Sequence, residues 1–130
     1  MIERVFLLKR TDVFGALPTE ILESLAPHLE EVELEAGETL FRKGDMGHAM
    51  YLVVDGGIRV HDGDVTLATL GRGAVLGEIS VLTSEERTAS VSADTDARLL
   101  RLDQEVLYEL MGVSPEASRG LIQVLLERLS

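Results

Sequence analysis

Residues 75–91, Val-Leu-Gly-Glu-Ile-Ser-Val-Leu-Thr-Ser-Glu-Glu-Arg-Thr-Ala-Ser-Val, gather a glycine turn, a carboxylate and an arginine into one short stretch. Gly77 has no Cβ and lets the backbone come close to a ligand. A short helix opening over Glu78, Ile79 and Ser80 would aim its free N–H groups at an anion such as a phosphate. Arg87 presents a planar fork of donors suited to the same phosphate. Ionised Glu78 only accepts hydrogen bonds, so it suits a hydroxyl such as a ribose 2′-OH. The stretch reads as an anion pocket with a hook for a sugar.

A strand running on from Arg87 would turn Arg87, Ala89, Val91 and Ala93 to one face and Thr88, Ser90 and Ser92 to the other. That puts a guanidinium in line with small apolar residues, where leaving it unpaired costs roughly several kcal/mol. It needs a partner. Either Glu78 or Glu86 forms an internal ion pair with it, or an anion arrives from outside. Spacing alone does not separate the two.

Other chemistry finds little support. His28, His48 and His61 are scattered, and paired histidines at metal-ligand spacing are missing, so no metal is expected. There is no Gly-x-Ser-x-Gly elbow and no Walker-type loop. Glu30-Glu31 and Glu85-Glu86 are adjacent pairs, which in a strand point to opposite faces and cannot flank one bond. The expectation is a binding protein without cofactor, not an enzyme.

Gly77-Glu78-Ile79-Ser80, followed nine residues after Glu78 by Arg87-Thr88-Ala89-Ser90-Val91, resembles the phosphate-binding cassette of the cyclic nucleotide-binding domain family. That family includes catabolite activator proteins, kinase regulatory subunits and cyclic-nucleotide-gated channels. Residues 35–45, Glu-Ala-Gly-Glu-Thr-Leu-Phe-Arg-Lys-Gly-Asp, and 50–56, Met-Tyr-Leu-Val-Val-Asp-Gly, resemble its early barrel strands. The resemblance implies that Gly77 permits the turn, Glu78 binds the ribose 2′-OH, and Ile79 and Ser80 donate backbone N–H groups to a cyclic phosphate whose counterion is Arg87. It implies a further phosphate bond from Thr88, which in the family can also meet a guanine, and a close approach over Ala89. Val75 and Leu76 would form apolar wall. Leu76 stands where the family usually has phenylalanine and Glu86 where it often has proline. The implied ligand is cyclic AMP ahead of cyclic GMP. The implied response is a movement of the C-terminal helices, with Arg119, Leu121, Val124 and Leu125 as candidates to cap the base. The alternative is an interaction module that kept the fold with Arg87 paired internally.

Several elements must position these residues. Ile2, Val5, Phe6 and Leu8 predict a short helix ending near Thr11-Asp12. Pro18 as a first helical residue, with Ile21, Leu22, Leu25 and Ala26, predicts a second that Pro27 stops. Between Leu29 and Leu102, apolar runs are punctuated by glycine. Nine of the twelve glycines fall from Gly37 to Gly77, a texture of strands and tight turns. Met50 to Val54 is continuously apolar, and Asp62-Gly63-Asp64 reads as a hairpin turn. Asp103 is a candidate N-cap for a helix with Val106, Leu107, Leu110 and Met111 that Gly112 would stop. Ser114-Pro115 opens another, striped by Leu121, Ile122, Leu125, Leu126 and Leu129, mainly for core packing. The fold class is mainly β with flanking helices, and the resemblance makes it an antiparallel double-stranded β-helix (a jelly-roll-like β-roll). One domain over 1–130 is expected, with N-terminal helices in 1–28, the β-roll in 29–102 around the cassette at 75–91, and hinge and lid helices in 103–130.

The chain has room for one domain of 130 residues and no second catalytic one. Its formal charge of −11 opposes contact with nucleic acid or anionic lipid, so any phosphate site is a local exception. The lack of cysteine fits a reducing compartment, and with no signal pattern and no apolar run of membrane-spanning length the expected location is cytoplasmic. The helical pattern still runs at Ser130, so a longer native chain is expected, with a homodimer or an effector domain joined through the C-terminal helix.

Overall fold

The computed structural model describes residues 2–11, 14–15, 17–77, 86–113, 118–119, 122–123 and 126. Helix α1 (Ile2–Lys9) and α2 (Thr19–Leu25) come first, and a single 3₁₀ turn (Ala26–His28) follows. Pro18 sits one place earlier than expected. Its ψ of 147° makes it the N-cap, outside the helix. Pro27 does not end the helical path but opens the tighter turn, where its missing N–H costs nothing.

Eight strands follow: β1 (Glu30–Leu34), β2 (Thr39–Phe41), β3 (Ala49–Asp55), β4 (Ile58–Asp62), β5 (Val65–Leu70), β6 (Val75–Leu76), β7 (Ser90–Ala93) and β8 (Ala97–Asp103). They form two four-stranded antiparallel sheets ordered β1-β8-β3-β6 and β2-β7-β4-β5. The mainly-β fold with flanking helices is therefore as expected.

The continuous apolar run of β3 follows from its place in this stack. Ala49, Tyr51 and Val53 belong to a core between the sheets, with Ile58, Leu76, Val91 and Leu99. Met50 and Leu52, on the alternate phase, belong to a second core with Leu8, Leu22, Leu25, Leu102 and Leu107 of the helical layer. A strand covered on both faces has no polar phase to show. The β4–β5 hairpin turns at Gly63, whose φ of 58° is left-handed.

Helix α3 (Gln104–Val113) starts directly from β8. Ala49 of β3 pairs with Asp103, and the N–H of Gln104 donates to the carbonyl of His48 at 2.9 Å, so the helix is rooted in the sheet without a linker. The Asp103 carboxylate accepts from Arg101 Nε at 2.8 Å. Gly112 does not stop α3, which continues to Val113: glycine weakens a helix by about 1 kcal/mol but breaks it only when a left-handed turn is also called for. Residues 118–119, 122–123 and 126 are helical, as expected after Ser114-Pro115. Ile122 and Leu126, expected mainly as core, are exposed. Ser114, Pro115, Leu121, Val124, Leu125 and Leu129 lie outside the described residues.

Candidate functional site

The chain leaves β6 through Gly77, at φ 77°. A side chain there is strained in any case, and the space a Cβ would fill is already taken by Nη1 of Arg87, with Arg87 Cζ at 3.1 Å and the Ala49 carbonyl oxygen at 3.2 Å. The glycine was expected for the sake of a ligand. In the structure it also makes room for the arginine.

Arg87 is fixed before its side chain begins. Its N–H donates to Asp45 O at 2.7 Å and its own carbonyl accepts from Gly44 N at 2.9 Å, while Glu86 bridges to Met46. The side chain is only 5% exposed. Nη2 donates to Ala49 O at 2.6 Å and Nη1 to Gly77 O at 3.4 Å, and the guanidinium carbon lies 4.1 Å from the centroid of Phe41. Nε is buried and has no hydrogen-bond partner among the described residues. Among the described residues no carboxylate comes within ion-pair distance of Arg87. The described ion pairs are Lys43–Asp62, Arg98–Glu31 and Arg101–Asp103. Glu86, one expected internal partner, is exposed. Burial holds the Arg87 guanidinium below its usual range, and the neighbouring Arg101 cation acts in the same direction against the pull of Tyr51 and Asp45. An arginine so displaced is still cationic at neutral pH. Arg87 is therefore an incompletely satisfied buried cation, a strong site for an anion.

That cation borders a hollow of about 180 Å³ lined by Phe41, Val60, Val75, Leu76, Gly77, Arg87, Thr88, Ala89 and Val91. Six of the nine residues expected at the site, Val75, Leu76, Gly77, Arg87, Thr88 and Ala89, thus meet around one cavity. The other three, Glu78, Ile79 and Ser80, lie outside the described residues. Phe41, Val60 and Val91 are additional. Each belongs to the sheet of β2, β7 and β4, and their inward phase could have been followed in the sequence only with the pairing known: Phe41 opposite Val91, and Val91 opposite Val60.

The strand after Arg87 begins later than expected, at Ser90. The alternation still holds for Arg87, Val91 and Ala93, all buried, and for exposed Thr88. Ser92, expected on the outward face, is only 6% exposed. It is covered by cross-strand partners: Ser92 Oγ lies 2.8 Å from His61 Nε2 and 3.2 Å from Thr39 Oγ1, and His61 Nδ1 lies 2.9 Å from Gly63 O. With Nδ1–H donating to that carbonyl, Nε2 accepts the serine proton, and the outer face of the sheet is tied across three strands. Among the described residues no group of acidic, histidine or cysteine side chains is arranged to hold a metal ion, and no helix is long and apolar enough to cross a membrane.

Comparison with known proteins agrees with this geometry. The family model described as the cyclic nucleotide-binding domain matches residues 31–113. The CRP-like cAMP-activated global transcriptional regulator of Mycobacterium tuberculosis is 30% identical over 128 residues, covering 95% of this chain and 57% of that protein. The cyclic AMP receptor protein of Thermus thermophilus is 34% identical over 127 residues, covering 94% of this chain and 59% of that protein. The crystal structure of the N-terminal domain of a transcriptional regulator from Streptomyces coelicolor superposes with a TM-score of 0.85 at 34% identity, covering 95% of this chain and 91% of that one. The chain spans little more than half the length of the mycobacterial and Thermus proteins.

Proposed function

This chain belongs to the cyclic nucleotide-binding domain family, a family of regulatory ligand-binding domains, and we propose that it binds cyclic AMP in preference to cyclic GMP and relays binding through its C-terminal helices. The observation that carries the reading is Arg87: among the described residues, a buried guanidinium whose Nε has no partner and which has no carboxylate at ion-pair distance, beside a hollow whose described wall is otherwise apolar apart from Thr88. A cyclic phosphate supplies the missing charge and acceptors, and a purine supplies the flat apolar body that Val60, Val75, Leu76 and Val91 would cover.

In this reading Arg87 and the backbone of Ile79 and Ser80 hold the phosphate, Glu78 holds the ribose hydroxyl, Gly77 and Ala89 keep the approach open, and Thr88 stands at the rim. The one domain is a sensor whose output is its own helical layer. The names of the mycobacterial and Thermus relatives support cyclic AMP.

Titration calorimetry with both nucleotides on the wild type and on Arg87→Ala tests this. Saturable binding, tighter for cyclic AMP, is expected. Losing two charge-assisted bonds at about 1.5–3 kcal/mol each should weaken it by roughly 100-fold or more. Heat from neither nucleotide refutes the sensor and leaves a module that kept only the fold. Hydrogen exchange over 104–113, with and without ligand, tests the relay, which predicts altered protection there.

A further inference from the structure

Strand β8 turns two charged residues toward the space between the sheets. Leu99 belongs to the core between the sheets, while Leu100 and Leu102 belong to the core under the helices. Arg101 and Asp103 share the phase of Leu99. The strand registers bring them up to the cavity. One row across the sheet runs Glu30, Arg101, Tyr51, Leu76, and Leu76 is cavity wall. Further along, Asp103 stands opposite Ala49, whose carbonyl holds Nη2 of Arg87 at 2.6 Å. Arg101 Nε and Nη2 each lie 2.8 Å from Asp103 Oδ1, so the guanidinium leans along β8 toward the end of the sheet where Arg87 is bound.

Neighbouring strands lie about 4.8 Å apart, which puts Arg101 roughly 10 Å from the cavity wall. The ground between them is filled by Tyr51, which is 8% exposed, and not by water. Charge carries well across such ground. Arg101 already acts on Arg87, adding to the burial that holds its guanidinium below the usual range. A cation that repels a proton from Arg87 attracts an anion to it. Asp103 opposes that pull, because its carboxylate neutralises Arg101 at contact.

We propose that Arg101 is a second cation of the anion site, acting across Tyr51 on the anion that Arg87 holds, and that Asp103 is its brake. This rests on the reading of Arg87 as the seat of a phosphate. It adds that the strength of that seat is set from β8, at the residue from which α3 departs. An ion pair that only joined β8 to α3 makes a different forecast: loss of either partner would then loosen the same structure and move affinity the same way.

Inorganic phosphate is the probe, titrated into the 130-residue chain with the Nε–H resonance of Arg87 as reporter. Arg101→Gln leaves a bare carboxylate and should weaken phosphate binding about three- to ten-fold, whereas Asp103→Asn leaves a bare cation and should tighten it by a similar factor. The double variant, with the same net charge as the wild type, should come within about two-fold of it. Arg101→Lys keeps the cation and should do the same. Raising sodium chloride from about 0.1 M to about 1 M cuts the Debye length from about 10 Å to about 3 Å, and should narrow the spread among the variants. Phosphate affinities in this order, with no response to either cyclic nucleotide, would uphold Arg101 and refute only the nucleotide reading. Single variants that shift affinity in the same direction overturn the proposal. So does a lysine that fails to rescue, a spread indifferent to salt, or a wild-type Arg87 resonance that phosphate leaves unmoved.

Discussion

Gly77→Ala perturbs the site at its tightest point. The alanine must hold a φ near 77°, which costs an L-residue about 1–2 kcal/mol. Its Cβ would then fall on Arg87 Nη1, 3.1 Å from Cζ and 3.2 Å from Ala49 O. Ala49 belongs to β3, which is held by β6 on one side and β8 on the other, so the guanidinium is the group that has to move. Moving it breaks the 2.6 Å bond from Nη2 to Ala49 O, a charge-assisted bond of about 1.5–3 kcal/mol. The total destabilisation is then about 2.5–5 kcal/mol. In an Arg87→Ala background the guanidinium is gone, and only the backbone strain and a mild contact remain, about 1–2 kcal/mol. Urea unfolding of the four proteins of this cycle should therefore give a coupling energy of about 1.5–3 kcal/mol, with m unchanged. Additivity to within about 0.5 kcal/mol would refute the argument that the glycine exists to seat the arginine.

Phe41→Leu removes the ring that lies 4.1 Å from the guanidinium, and calorimetry should find nucleotide affinity lower by about 1 kcal/mol, roughly five-fold; unchanged affinity would show that the ring does not steer Arg87. Ser92→Ala takes the hydroxyl partner from His61 and Thr39, so denaturant unfolding should show a loss of about 1 kcal/mol while nucleotide affinity stays within about two-fold, because Ser92 lies on the face of β7 opposite Val91. Gly56→Ala drives a Cβ onto the carbonyl oxygen of Asp96 and to 2.7 Å from Ala97 Cα, both backbone, at a φ of 93°; thermal unfolding should show at least about 2 kcal/mol of destabilisation, against the few tenths expected of an exposed loop.

Some of this molecule was readable one residue at a time. Gly77 and Arg87 could be linked because each is unusual alone: a glycine between an apolar pair and a carboxylate, and a cation in phase with Ala89, Val91 and Ala93. Strand textures and the turn at Gly63 follow from local sterics, which the sequence carries directly. What escaped were the properties of pairs. Phe41 looks like any strand aromatic until β2 is set against β7 and the ring comes over Arg87. Ser92 looks like a surface residue until His61 and Thr39 close over it. Gly112 looks like a stop because glycine so often is one, but α3 has no left-handed turn at that point. Of the cassette, Glu78, Ile79 and Ser80 rest on the family pattern together with the chemistry of their side chains and backbone.

The carbonyl of Ala49 is where two lines of the molecule cross. It receives Arg87 from one side, and its residue is the register partner of Asp103, the last position before α3. One residue back, His48 accepts the first N–H of that helix. Two peptide units thus separate the acceptor of the guanidinium from the foot of the helix, with no loop between them. In the proposed relay the coupling would run in both directions: whatever tilts α3 would also load the hydrogen bond that orients Arg87.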